Sequence, residues 1–121
     1  MITIEGMEFF AYHGCFKEEQ IIGTKFIVDL FMEADTAEAE NSDDLAKTVN
    51  YQAVYGLVAD EMSVKSKLLE HVARRILDRI GKEYPQIISS RIKISKMNPP
   101  VGGKTERVSV ELRAQSAGHR A

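Results

Sequence analysis

Apolar residues along this chain follow two different periods. From Thr24 to Ala34, Phe26, Val28, Leu30 and Met32 alternate with Lys25, Ile27, Asp29, Phe31 and Glu33, the alternation of a strand. Residues 2–14 are rich in aromatic and β-branched types and read as another strand, with Gly6 as a bulge or bend inside it. Two more strands are predicted near the C-terminus. In Ile87 to Lys96, Ile88, Ile92 and Ile94 fall on one face, opposite Ser89, Arg91, Lys93 and Ser95. In Thr105 to Ala114, Val108, Val110 and Leu112 share a face. Between the strand pairs the period lengthens. Val54, Leu57, Val58 and Met62 make a helical stripe over Tyr51 to Met62, with Asn50 as N-cap. Leu69, Val72, Ala73, Ile76, Leu77 and Ile80 make a second over Leu68 to Ile80, which Gly81 and Pro85 are expected to end.

The remaining segments read as connections. Cys15 to Gly23 joins the first two strands, and Ala37 to Leu45 forms a short helical turn and a loop. Met97 to Lys104 is a turn, and Gln115 to Ala121 a frayed polar tail. The order strand, strand, helix, helix, strand, strand predicts an α+β domain over residues 1–114. Its four-stranded antiparallel sheet carries both helices on one face. Such a sheet has two open edges, and its second face is only half polar because of Ile27 and Phe31. Joining several sheets edge to edge into a closed barrel would cover both, which predicts a homo-oligomer.

One residue breaks the pattern. Lys96 continues the parity of Ile92 and Ile94, so a lysine ends an inward-facing row just before Pro99 and Pro100 stop the ladder. Either its ammonium snorkels into solvent, or it points into a pocket at the strand end and can move protons there.

Composition narrows the rest. The chain has 121 residues, 44% hydrophobic and 28% charged, enough for one core. With a net charge of −2 and no basic run, nucleic acid is not an expected partner. Cys15 is the single cysteine, so no intrachain disulfide forms and a reducing compartment is expected. There is no basic leader before Glu5 and no apolar run of membrane-spanning length, so a cytoplasmic protein is expected.

Other residues that could carry chemistry are Glu19 in the first connection, Tyr51 and Glu70 at the two helix starts, and His13 before Gly14. Glu19, Tyr51 and Glu70 each have an ordinary explanation: a solvated loop acid, an amphipathic ring over a helix start, and an acid favoured by a helix dipole. His13, Cys15 and His71 show neither His-x-His nor Cys-x-x-Cys spacing, and His119 lies in the tail, so no metal is expected. No glycine-rich phosphate loop stands between a strand and a helix.

Six pieces stand in register: Gly6-Met7-Glu8-Phe9, Tyr12-His13-Gly14, Glu18-Glu19 with Gly23 following, Thr48-Val49-Asn50-Tyr51, Leu68-Leu69-Glu70-His71 and Ile94-Ser95-Lys96-Met97-Asn98-Pro99-Pro100. Taken together, they resemble the dihydroneopterin aldolases of folate biosynthesis. The resemblance runs in order from Ile2 to Leu112. It implies the tunnelling fold, in which four subunits close a sixteen-stranded barrel and two rings stack into an octamer, with active sites between subunits. It implies retro-aldol cleavage of 7,8-dihydroneopterin into 6-hydroxymethyl-7,8-dihydropterin and glycolaldehyde, with no cofactor.

By the same resemblance, Glu70 accepts two parallel donors of the pterin, with the Leu69 backbone beside it. Tyr51 of an adjacent subunit covers the ring, and Glu19 holds the substrate near Lys96. Lys96 moves the protons, and Tyr51 helps to protonate the enamine. Other activities on this scaffold are an epimerase acting on dihydroneopterin or its triphosphate, and an oxygenase. Two further alternatives are a non-catalytic pterin-binding module and a zinc-dependent pterin synthase.

Overall fold

A computed structural model describes residues 1–115. The frayed tail expected over 115–121 falls, apart from Gln115, outside the described residues. The elements are β1 (Ile2–Ala11), α1 (Lys17–Ile22), β2 (Thr24–Ala34), α2 (Ala37–Ser42), a 3-10 turn (Leu45–Lys47), α3 (Tyr51–Met62), α4 (Leu69–Glu83), β3 (Ile87–Met97) and β4 (Arg107–Gln115). The four strands form one antiparallel sheet in the order β1-β2-β3-β4. α4 packs on β3, β4 and α3, and α3 also meets β1. The sheet and the two long helices are those that the apolar periods predict.

Three expectations need correction. The first strand stops at Ala11, not Gly14. The stretch Cys15 to Gly23 is not merely a connection: Lys17–Ile22 is a helix, although it buries no residue and so leaves no apolar stripe. Gly81 does not end the second long helix. It lies within α4, which runs on to Glu83 and stops at Tyr84, where φ is −128° and ψ 72°. Pro85 is the cause, because its ring disfavours helical geometry in the residue before it.

The core lies between the sheet's inner face and the helix pair. Phe26, Val28, Leu30 and Met32 of β2 and Ile92 and Ile94 of β3 are completely buried. They meet Val54 and Val58 of α3 and Val72, Ile76 and Ile80 of α4 in one cluster. Burying each such side chain stabilises the fold by about 1.5–3 kcal/mol. The opposite face is polar but not bare. Arg91 stacks over Phe31, its guanidinium 4.0 Å from the ring centroid, and pairs with Glu111, while the Ser95 and Ser109 hydroxyls hydrogen-bond at 2.8 Å.

Gly6 makes the edge strand fit this core. Ile2 and Ile4 pair with Met32 and Leu30, then the register shifts, and Met7 and Phe9 pair with Val28 and Phe26. The extra residue changes the parity, so apolar residues on both sides of it face inward. Gly6 takes φ +72° and gives its N–H to Asp29 Oδ1 at 2.7 Å. A Cβ at Gly6 would meet nothing within 4 Å, so only backbone strain opposes a side chain there. Gly6→Ala should therefore destabilise the fold by about 1 kcal/mol without a change of core packing. Denaturant unfolding would measure it, and an unchanged midpoint would refute the bulge's requirement for glycine.

Candidate active site

β3 carries Lys96 inward for the same reason that it carries Ile92 and Ile94 inward. Its ladder partners are Phe26 of β2 and Val108 of β4. Beyond Met97 the strand ends: Asn98 adopts φ 50°, and Pro99 and Pro100 follow. Only 13% of the Lys96 side chain is exposed. Its ammonium lies 5.9 Å from the centroid of the Phe26 ring and makes an ion pair with Glu19, whose side chain is equally buried.

Glu19 reaches Lys96 from α1. It is the third residue of that helix, and Oε1 accepts the Phe16 N–H at 3.3 Å, closing the helix's own first turn. Oε2 is left for Lys96. Gly14 makes this approach possible. A Cβ on Gly14 would lie 2.5 Å from the Glu19 carboxyl carbon, and its backbone, at φ +157°, is one that side chains rarely adopt. The Gln20 amide donates to Gly14 O at 2.8 Å and fixes α1 against the same turn.

These groups open on a cleft of about 240 Å³. Glu19 and Lys96 line it together with Cys15, Leu69, Pro99 and Val108. It is smaller than the roughly 300–1,000 Å³ usual for small-molecule sites. Glu70, exposed in the first turn of α4, follows Leu69 but is not among the lining residues. Tyr51 is elsewhere. It opens α3 after Asn50, whose side chain caps the helix by accepting the Gln52 N–H at 3.0 Å. With Thr48, Val49 and Ile2 it lines a separate cavity of about 620 Å³, and the residue is 63% exposed. One chain thus brings together Glu19, Leu69 and Lys96, and leaves Tyr51 and Glu70 outside that cleft.

Two residues beside the cleft were not given a role by the sequence. His13 is 1% exposed, and its Nδ1 accepts the Ser66 N–H at 3.1 Å. Burial, reinforced by the nearby Arg75 and Lys96 cations, lowers its pKa to about 4, with the Met62 backbone pulling the other way. Arg75 holds Ser66 Oγ at 3.0 Å, Val64 O at 2.9 Å and Glu61 at 3.0 Å. Polar contacts of this kind, the His13–Ser66 pair 53 residues apart among them, leave no periodic trace. Among the described residues, no group of three or more His, Cys, Asp or Glu side chains converges as metal ligands would.

Comparison with known proteins places the chain in a family. The FolB dihydroneopterin aldolase family model matches residues 2–113. A dihydroneopterin aldolase of Streptococcus pyogenes is 39% identical over 115 residues, covering 94% of this chain and 97% of that protein. The chain belongs to the dihydroneopterin aldolase family. Solved structures extend the likeness to three dimensions. The Escherichia coli dihydroneopterin aldolase, in complex with neopterin, superposes with a TM-score of 0.81 at 25% identity, covering 92% of this chain and 96% of that one. A Vibrio cholerae protein assigned to the same family reaches 0.86 at 27% identity, covering 94% and 95%. No helix among the described residues is long and apolar enough to cross a membrane.

The buried, neutral His13 gives a pH prediction. An unfolded histidine titrates near 6.5 and the folded one near 4, so protonation favours the unfolded chain. This stability is fully present above pH 6.5 and is lost as pH falls through about 4. The loss should amount to about 3 kcal/mol. Unfolding curves at pH 7 and pH 4, compared between the wild type and His13→Asn, would isolate it. Equal pH dependence in both proteins would contradict the assignment.

Proposed function

We propose that this chain is a dihydroneopterin aldolase that cleaves 7,8-dihydroneopterin into 6-hydroxymethyl-7,8-dihydropterin and glycolaldehyde, with Lys96 and Glu19 moving the protons. The observation that carries this reading is the Lys96–Glu19 ion pair, sequestered at the end of β3 where it lines the cleft. A retro-aldol step removes a side-chain hydroxyl proton while the electrons of the breaking C–C bond move into an acceptor. A dihydropterin supplies that acceptor as its own ring C=N bond, so neither a lysine Schiff base nor a Lewis-acidic metal is required. The enamine that forms then takes a proton on carbon. Lys96, with three donors and a carboxylate beside it, suits both transfers, directly or through water.

The binding residues follow from the same reading. Glu70 accepts the parallel amino and ring N–H donors of the pterin, and the Leu69 backbone lies alongside. Tyr51 comes from the neighbouring subunit, covers the ring and assists protonation of the enamine. This accounts for two half-sites on one chain, a small cleft with Lys96 and a separate cavity with an exposed Tyr51. The working form is then a cytoplasmic homo-oligomer, a tetrameric ring or a pair of rings stacked as an octamer.

Chelator-treated protein incubated anaerobically with 7,8-dihydroneopterin should release glycolaldehyde and 6-hydroxymethyl-7,8-dihydropterin in equal amounts, identified by chromatography. An epimer alone, or bound pterin without turnover, would reject the aldolase reading. General acid–base groups contribute about 10²–10⁴-fold, so Lys96→Ala should lower turnover by at least about 10²-fold. Its pterin Kd, measured by fluorescence titration, should change by less than about 3-fold if Lys96 acts only in proton transfer. Parallel losses in both would make Lys96 a binding residue instead.

A further inference from the structure

Two strips of backbone form adjoining walls of the Lys96 cleft. Cys15 and Glu19 come from the turn and helix after β1, Lys67 from the connection between α3 and α4, and Leu69 from the start of α4. Neither strip belongs to the sheet. What joins them is a short ladder, in which the Gly14 N–H donates to Ser66 O at 3.0 Å and the Ser66 N–H donates to His13 Nδ1 at 3.1 Å. The Cys15 thiol extends it to Lys67 O at 3.4 Å. Arg75 takes the remaining polar atom of Ser66, its hydroxyl, at 3.0 Å. Ser66 is therefore held at its N–H, its carbonyl and its side chain.

We propose that His13 is a positioning residue for catalysis: by accepting the Ser66 N–H it locks the two cleft walls together and keeps Glu19 in reach of Lys96. The direction of the hydrogen bond matters. An imidazole that accepts at Nδ1 carries its proton at Nε2, and only that tautomer or another fixed acceptor can replace an ordinary strand carbonyl. Next to His13 is Gly14, against which the Glu19 carboxylate packs. A shift of the wall at residue 13 thus passes to the carboxylate through one peptide unit. His13 is not among the residues lining the cleft and stacks edge-on against Phe26 at 5.2 Å between ring centroids, so it acts through Glu19 rather than on the substrate.

This inference rests on the Lys96 cleft being the active site. The test compares His13→Asn, whose side-chain oxygen can take the place of Nδ1, with His13→Phe, which keeps the ring but accepts nothing. Both are assayed on 7,8-dihydroneopterin at a temperature where circular dichroism shows each fully folded. His13→Phe should lose at least tenfold in kcat/KM, and the Gly14 and Ser66 amides should lose their protection from hydrogen exchange. His13→Asn should stay within threefold of the wild type with both amides protected. Equal losses in the two variants, or wild-type kcat/KM in His13→Phe, would overturn the proposal. In the unsubstituted protein, the imidazole nitrogen-15 spectrum should show the Nε2–H tautomer. The Nδ1–H tautomer would overturn the proposal whether or not the variants fold. Lys96→Ala assayed alongside separates the two levels: full turnover there removes the active-site reading itself. Its expected loss, with both His13 variants unaffected, removes only the role of His13.

Discussion

A cation in the inward row of a central strand sets the terms for everything around it. Lys96 stands where the parity of β3 calls for another isoleucine, with 13% of its side chain left to solvent. Withdrawing an ammonium from water costs several kcal/mol unless a well-placed carboxylate and further dipoles answer it. Glu19 is that carboxylate, and most of the local structure follows from the need to bring it there. α1 exists without burying a single residue, Glu19 closes that helix with one oxygen and faces Lys96 with the other, and Gly14 leaves the space its side chain fills. An ion pair this withdrawn adds little net stability. In the proposed mechanism its value is a proton donor and a proton acceptor held at one place in a cleft.

On the proposed inter-subunit reading, the sheet's geometry explains why one chain would hold only part of a site. α4 lies over β3 and β4, and at the end of β3 Lys96 lines a cleft. The start of α3, with Tyr51, is directed to a different cavity beside Ile2 of the edge strand β1. β1 and β4 have a neighbour on one side only. An edge strand presents unpaired N–H and C=O groups that favour pairing with a further strand. If β1 of one copy meets β4 of the next, the Tyr51 cavity and the Lys96 cleft come from different subunits in every site. The proposed inter-subunit chemistry and the open edges are then one feature of the design.

The sequence was most legible where one period ran unbroken over a buried face. Phe26 to Met32 and the Leu69 to Ile80 stripe needed no more than alternation or helical spacing, and Gly6 announced the bulge that keeps Met7 and Phe9 facing inward. It was least legible where stability comes from polar contacts distant in sequence. The strand expected to run to Gly14 ends at Ala11, because His13 turns inward to meet Ser66. α1 has no apolar stripe to reveal it, and Gly81 misled because a glycine with ordinary helical geometry carries no stop signal of its own. Lys96 was visible as an anomaly of parity, and Glu19 as its partner only through resemblance to a family. Tyr51 and Glu70 were recognisable by their motifs, yet nothing in one chain carries them to the cleft.

The same electrostatics decide which group near the cleft can move a proton. An imidazole is the usual general base at neutral pH, and His13 adjoins the Glu19–Lys96 pair. Three facts disqualify it. Its Nδ1 lone pair is committed to the Ser66 N–H, burial and the charges of Arg75 and Lys96 keep it neutral down to about pH 4, and it does not line the cleft. To protonate it near neutrality would place a third positive charge beside two existing ones and break the hydrogen bond that joins the cleft walls. A base must accept a proton readily and return it, and His13 is built to refuse one. Lys96 differs in its placement: it lines the cleft, and its ammonium stands beside the Glu19 carboxylate. In the proposed mechanism, a neutral and structural histidine leaves proton transfer to the lysine.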